Sequence, residues 1–476
     1  MSFIKKNKIP LIITFLFLSL ITMFNRVDPD VYWHIKTGEW ILQNGIPTTD
    51  AFSYWGGNFI AHEWLFDIII YLIYSLGGYI GIKLMSFILI GTSLCLGIKI
   101  SENKNKNNVF VYLLPLLMWI VYIGQLEPRP QLFSLLIMTI TIYLLDRNKH
   151  LYLIPIFTLF LSNVHGGLVA IIALTIAVYL ISYIFDNIGK LNVKNIVTYI
   201  SIIGAVLASM MINPYGLESI TYGSKMPDYV LNNVQEFQPL IQGSNNIFIL
   251  FIILVPLACM AYSKKAKLID ILMVSMATMM SMIYCRMILF WVPIIIIYSS
   301  SYIDFTLKDI LHKFVRIPPI KLSTSVISEI FVFVFITIFA MNLGNISLEN
   351  SEDNNIFAPK IITNYIEENN IDVENNIMFN DYNFGGYLIF NDYKVFIDGR
   401  ADVYLDAFGS PEVFSDYLDL QLTKRNTEEL IEKYNIKYFA LYKDYRLTNY
   451  LLENNLAKEL VSDDTYILLE LLEGGD

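Results

Sequence analysis

Two carboxylates one residue apart, Asp28 and Asp30, open the run Asp28-Pro29-Asp30-Val31-Tyr32-Trp33-His34-Ile35-Lys36. Acidic side chains at this spacing can take a proton from a substrate or offer oxygens to a hard cation. His34 and Lys36, a few residues on, are donors that could meet an anion. A second group is Glu127-Pro128-Arg129-Pro130-Gln131. Its prolines push Glu127 and Arg129 out of helical conformation, and Pro130 suits the first position of a following helix. A phosphate could sit at that helix start, held by Arg129 and the backbone amides. Asn163-Val164-His165-Gly166-Gly167 opens another helix start, and Asn213-Pro214-Tyr215-Gly216, Glu236 and Arg286 supply further polar groups between apolar runs. Near the other end of the chain, Asp398-Gly399-Arg400-Ala401-Asp402 follows a strand-like stretch, where polar residues often line a site. The alternative there is a turn closed by its own Asp398–Arg400 pair. Taken together these residues are a base, or a cation's ligands, combined with several holders for a negative group.

What must position them is mostly apolar. Of 476 residues 55% are hydrophobic and only 16% charged, with mean hydropathy +0.51. Soluble globular chains carry about 25% charged residues, so a bilayer is the natural solvent for most of this one. Residues 1–343 hold 23 Lys/Arg against 17 Asp/Glu, whereas 344–476 hold 10 against 26, which marks a domain boundary near residue 344. The acidic C-terminal part repels phosphate backbones, and no basic stripe with interleaved aromatics occurs, so nucleic acid is excluded as a partner. Cys95, Cys259 and Cys285 lie in or beside apolar runs, without the spacing of a zinc site or a disulfide framework.

Apolar runs of membrane-spanning length lie near 9–24, 79–100, 109–124, 130–146, 151–163, 166–185, 196–212, 247–262, 268–284, 287–303 and 326–343. The first is read as an uncleaved span, since no small-residue cleavage site follows it. The stretch 63–77, which begins Glu63-Trp64-Leu65-Phe66-Asp67, is read as an amphipathic helix lying on the membrane. With that reading 17 of the 23 basic residues of the membrane part fall on the side of the N-terminus, which the positive-inside rule makes cytoplasmic. The long first loop, 25–78, and the domain 344–476 are then both non-cytoplasmic, and the polar groups named above collect on that outer face. Ionisable groups near membrane depth are costly unless they serve a site or a pathway. The expectation is a polytopic α-helical protein with about eleven transmembrane helices and a soluble C-terminal α/β domain.

Asp30-Val31-Tyr32-Trp33-His34-Ile35-Lys36 through Asn44-Gly45-Ile46 resembles, without a gap, the first-loop segment of the oligosaccharyltransferase catalytic subunit, an Asp beginning D-P-W-F-N-Y-R and leading to N-G-F. The layout is similar to that of GT-C glycosyltransferases generally: an acidic motif after span one, a long first loop, a second acidic motif in the next outer turn and a soluble C-terminal domain. The resemblance implies transfer of a sugar or sugar phosphate from a polyprenyl-phosphate-linked donor to a cell-envelope acceptor at the outer leaflet. Asp30 matches the family's catalytic carboxylate, base or metal ligand, with Asp28 as its neighbour. Glu127 takes the place of the second acidic motif, although Glu-Pro-Arg-Pro departs from Asp-x-Glu. Asp30 and Glu127 could bind Mg²⁺ or Mn²⁺. Inverting transfer needs a base for the acceptor and a cation for the departing lipid phosphate. Asp30 or Asp28 could serve as the first, and Arg129, Arg286, His165 or Lys36 as the second. A transporter or flippase for a lipid-linked glycan would call for inverted repeats and broken helices at the midplane, which the sequence lacks. A non-catalytic envelope-assembly protein displaying its outer domain is the other alternative.

For the C-terminal domain, periodicity predicts a helix near 359–370, strands near 376–381 and 394–398, helices near 410–421 and 426–435, and strands near 437–442, 457–462 and 465–471. Asp381-Tyr382-Asn383-Phe384-Gly385-Gly386-Tyr387 is similar to the W-W-D-Y-G motif of the oligosaccharyltransferase C-terminal domain.

Overall fold

The computed structural model describes residues 28–104, 127–221, 225–233, 238–240, 247–310, 313, 357–410 and 412–472. The expected spans near 9–24, 109–124 and 326–343, and the expected boundary near 344, lie outside these residues.

The chain forms two compact units. The first comprises Met1–Asn25, Tyr79–Thr221 and Pro227–Ser347, and its described part is helical. Its helices include Gln131–Arg147, Leu153–Val164, Val169–Asp186, Val193–Ser209, Ile247–Ser263, Leu268–Ile283 and Ile288–Ile310, each on an apolar run expected to span. The run near 79–100 falls in the helix Trp64–Lys104, which breaks at Gly78 (φ 56°, ψ −151°), a conformation open to a residue without Cβ. In hydrocarbon every backbone amide must be satisfied within its own segment, which is why Ile- and Val-rich runs of this length become helices. Among the described residues, three helices are long and apolar enough to cross a membrane: Trp64–Ser101, Gly166–Asp186 and Cys285–Ile303.

Leu268–Ile283 and Ile247–Ser263 both pack on Ile288–Ile310, and Val169–Asp186 packs on Val193–Ser209. Trp291, Ile297, Met273, Val206 and Ile176 are buried between helices. One cluster of charge lies between helices of this unit. Lys104 Nζ stands 3.9 Å over the Tyr298 ring centre, 3.4 Å from Asp146 and 3.8 Å from Asp270. Tyr302 donates to Asp270 at 2.7 Å. Pairing of this kind is how ionisable groups are tolerated within an apolar bundle.

The second unit comprises Arg26–Gly78, Tyr222–Met226 and Leu348–Asp476. The first loop therefore packs with the C-terminal residues, whereas its place in the chain assigns it to the membrane part. A four-stranded sheet has the order β1-β2-β4-β3, with β1 Ile377–Asn380, β2 Ile436–Tyr442, β3 Ala457–Ser462 and β4 Tyr466–Leu471. β1 and β2 run parallel, while β2–β4 and β3–β4 are antiparallel. Helices Lys360–Glu368, Val413–Gln421 and Thr427–Lys433 fall where periodicity predicts them. The helix Arg446–Glu453 is an addition. Residues 394–398 form no strand with the sheet; instead Val395 pairs with the first loop, donating to the Phe52 carbonyl and bridging Ser53.

Loop and C-terminal residues share one core. Trp33 is buried with Met378, Phe384, Leu388, Val395 and Leu468. Trp55 Nε1 donates to the Phe396 carbonyl at 2.8 Å, and its ring meets those of Phe396 and Tyr434. Truncating one such aromatic costs ~3–5 kcal/mol, so these contacts alone rival the net stability of a domain.

Asp398 and Arg400, expected to line a binding site, are inside this unit. Arg400 is 2% exposed and both of its acidic partners 0%. Its Nε and Nη2 reach the two Asp398 oxygens at 2.9 and 2.6 Å, and Nη1 reaches Asp50 of the first loop at 2.8 Å. Tyr404 also donates to Asp398. Burial alone would raise the Asp50 pKa, but Arg400 and the amides of Ser53 and Phe52 outweigh it and hold the carboxyl below its usual range. Asp398 and Arg400, expected to line a binding site, turn these donors and acceptors to each other, and the turn closes by its internal pair, extended to Asp50.

Removing Arg400 would strand two carboxylates in the core. Arg400→Leu is expected to lose about 3–5 kcal/mol, read as a lowered melting temperature of the full-length protein in detergent. An unchanged melting temperature would show that water reaches the network.

Asp381 provides a second test. It is buried, its carboxylate caps the turn Tyr382–Phe384 by accepting from the Asn383 amide at 3.0 Å, and burial lifts its pKa to about 6. A carboxyl whose folded pKa exceeds its unfolded value of 3.8 contributes stability below that value and loses it as pH rises through 6. Asp50 has the opposite sign, and its contribution is lost only in stronger acid. Asp381→Asn keeps the cap and removes the charge. The variant should gain on wild type by about 2–3 kcal/mol at pH 7 and by almost nothing near pH 4, measured by thermal unfolding at both.

Candidate active site

The helix Asp30–Asn44 starts where the sequence chemistry says a helix should. Pro29 precedes it with φ −58°, a position where a missing amide costs nothing. Asp28 is buried, its carboxylate accepts from the Asp30 amide at 2.7 Å, and its carbonyl accepts from the Val31 amide at 3.1 Å. Asp28 is thus the cap of this helix. Asp30 stands in the first turn, half-buried, where the helix dipole favours a negative charge. Its Oδ1 accepts from Trp33 Nε1 at 3.1 Å.

His34 and Lys36, expected to meet substrate, pair with acidic side chains of the same unit. His34 is 2% exposed, with Nδ1 2.5 Å from Asp67 Oδ1 and Nε2 3.7 Å from Glu63. Its ring lies 3.6 Å from that of Trp33 and edge-on to Phe66. Lys36 Nζ pairs with Glu39 at 2.8 Å and with Asp392 at 2.6 Å. Burial pulls the Lys36 pKa down, and these two pairs outweigh it, leaving the ammonium above its usual value. Each residue is one turn or more past Asp30, on the helix faces packed against Trp64–Lys104 and against Gly385–Phe390.

Glu127, Arg129, His165 and Arg286 belong to the helical unit. Pro130 precedes the helix Gln131–Arg147 with φ −54°, and the Arg129 carbonyl accepts from the Leu132 amide, so the proline pair does set a helix start. Arg129 Nε lies 3.8 Å from Glu127 Oε2. His165 ends the helix Leu153–Val164 and begins the turn Gly166–Leu168, and its Nδ1 is hydrogen-bonded to Ser134 Oγ at 2.8 Å. Ser134 sits in the first turn of Gln131–Arg147, so Glu127, Arg129 and His165 are brought to one helix start. Arg286 lies in the turn Cys285–Met287 that leads into Ile288–Ile310. Glu236 lies outside the described residues.

Asp30 with Glu127 was the expected Mg²⁺ or Mn²⁺ pair. Among the described residues, no group of three or more His, Cys, Asp or Glu side chains is arranged to hold a metal ion. Asp30 Oδ1 already accepts an indole N–H, and Glu127 faces a guanidinium. No step of the reaction is derived through a cation.

Residue-by-residue reading did not single out Trp33, Asp50 or Gly399. A Trp three residues after an acidic residue at a helix start is the one signal that could have marked Trp33, because that spacing stacks the two side chains on one helix face.

Neither a protein-family model nor a curated protein matches the sequence. Among solved structures, the archaeal oligosaccharyltransferase AglB from Archaeoglobus fulgidus, in complex with an inhibitory peptide and a dolichol-phosphate, is similar at a TM-score of 0.60 and 11% identity. That alignment covers 94% of this chain and 71% of AglB. ArnT from Cupriavidus metallidurans bound to undecaprenyl phosphate is similar at 0.55 and 10% identity, over 97% of this chain and 96% of ArnT. At such identity the likeness is one of fold. The helical unit that carries the Pro-bracketed Arg129 and the sheet-containing unit that carries the capped Asp30 are the two parts of a chain whose fold is GT-C-like.

Proposed function

We propose that the protein is a membrane glycosyltransferase that moves a sugar or sugar phosphate from a polyprenyl-phosphate-linked donor to a cell-envelope acceptor on the non-cytoplasmic face. The observation that carries this reading is the helix start at Asp28-Pro29-Asp30. One carboxylate caps the helix, and the other stands in its first turn, held by an indole N–H, in a chain whose fold is GT-C-like.

Asp30 is the base. It takes the proton of the acceptor's nucleophilic atom as that atom attacks the sugar's anomeric carbon, and the bond to the polyprenyl phosphate breaks. Asp28 is not a second base, since its carboxylate is committed to the Asp30 amide. Arg129 receives the departing phosphate. Glu127 faces its Nε, Pro128 and Pro130 fix its backbone, and the amides of the following helix start favour an anion beside it. His165, joined to Ser134 in that first turn, and Arg286 line the same role on the helical unit. This reading keeps the expectation of about eleven spans and a cytoplasmic N-terminus.

The test uses the full-length protein in detergent and radiolabelled hexoses and pentoses carried on undecaprenyl phosphate, with label followed into envelope material and into water. Wild type should move label from at least one donor, and Asp30→Asn should lose about 10²–10⁴ in turnover. Absence of any transfer by wild type, or full activity in Asp30→Asn, overturns the proposal.

Arg129→Lys keeps the charge and loses the two-pronged geometry, so affinity for undecaprenyl phosphate should weaken about tenfold with the melting temperature unchanged. Equal affinity in the two proteins would remove Arg129 from the phosphate site.

A further inference from the structure

The carboxylate of Asp30 rests on a glycine from the far end of the chain. A methyl group placed on Gly399 would overlap Asp30 Oδ1 and lie 3.3 Å from Trp33 Nε1. The same Oδ1 accepts from that indole at 3.1 Å, so the oxygen is held between a donor and a floor. The floor cannot retreat. Asp398 and Arg400 on either side of Gly399 are locked in the buried network with Asp50, and the Gly399 carbonyl accepts from Tyr382 Oη at 3.1 Å. A second glycine, Gly386, admits the backbone next to Asp30: a methyl there would overlap the Pro29 carbonyl and lie 3.6 Å from Trp33 Cδ1.

We infer that Gly399 and Trp33 are positioning residues for Asp30, and that the Asp398-Gly399-Arg400 turn acts on the reaction through the place where it fixes this carboxylate. The inference rests on the base role proposed above. It extends that role to residues that never touch substrate and to a turn more than 350 positions away. A base must stand within hydrogen-bond reach of the proton it takes, and a displacement of ~1 Å costs on the order of 10² in rate. At Gly399 the atom that must yield to an added methyl is the carboxylate oxygen itself. At Gly386 it is main chain, so there the fold must yield. The two glycines therefore separate a positioning effect from a folding effect.

The experiment measures turnover, KM and melting temperature of the full-length protein with the undecaprenyl-phosphate-linked sugar that wild type uses. Gly399→Ala should lose about 10² in kcat, with KM within about twofold and the melting temperature near wild type. Trp33→Phe keeps an aromatic ring but removes the N–H with the five-membered half of the indole, and should lose about tenfold in kcat. Gly386→Ala should lower the melting temperature. If Asp30→Asn is inactive while Gly399→Ala and Trp33→Phe turn over at the wild-type rate, the positioning role is overturned and the base role stands. If Asp30→Asn is itself active, the proposed function falls instead. Losses confined to KM also overturn the positioning role, because they would mean a binding contact. Should Gly399→Ala fail to fold, Trp33→Phe decides alone: full kcat in it refutes the inference.

Discussion

The buried Arg400 is the constraint on which the second unit depends. One guanidinium satisfies Asp398 two residues before it and Asp50 in the first loop. A buried ion pair seldom adds net stability over a well-packed apolar substitute, because desolvation offsets the attraction. What it does supply is geometry. An unpaired charge in this core is so costly that loop and turn have one acceptable register. The apolar contacts around it, Trp55 on Phe396 and Trp33 in the core behind the sheet, would tolerate small slips that a bidentate ion pair does not.

That registry matters because the segments it joins are also the ones that surround Asp30. The first loop brings Asp28, Pro29 and Asp30. The C-terminal residues bring Gly386 and Gly399, which meet the Pro29 carbonyl and the Asp30 carboxylate. Two glycines at such close approaches, one in the helix Gly385–Phe390 and one in the Asp398–Arg400 turn, are hard to assign to packing alone, since alanine would fill any ordinary gap at lower entropic cost. The turn Tyr382–Phe384 that carries Gly386 into place is itself capped by a carboxylate, Asp381, whose burial is unfavourable at neutral pH. Stability is given up at that cap, as happens where local structure is held for a function.

The parts of this arrangement that could be read in the sequence are those written in short-range chemistry. Pro130 before a helix, the apolar runs among the described residues, and the apolar composition of β2 and β4 each depend on neighbours within a few residues, and the structure has them at the expected positions. The likeness of 381–387 to a known motif pointed to the segment that approaches Pro29. The pairing of Asp50 with Arg400 was not legible, because nothing local distinguishes an aspartate that meets an arginine 350 residues later from one at a surface turn. For the same reason residues 394–398 look like a sheet strand. They have the composition of one, and only the tertiary fold turns Val395 toward the loop. The helix Arg446–Glu453 was missed for a different cause: it is barely two turns long, and its buried Leu447 and Leu451 are too few to define a period.

His34 illustrates the limit from the other side. Its place in an ungapped run with a known catalytic motif suggested a role at the substrate, yet in a helix a residue four positions after Asp30 is one turn along and its surroundings are set by whatever helix packs there. Here that helix begins at Trp64, and Asp67 meets the imidazole inside the contact. The acidic pair divides in a comparable way. Two carboxylates one residue apart look like a cation site while the chain is extended. Once Pro29 starts a helix between them, the first must face the orphan amides and the second projects from the first turn. The spacing of two like carboxylates is therefore also the spacing of a cap followed by an acid.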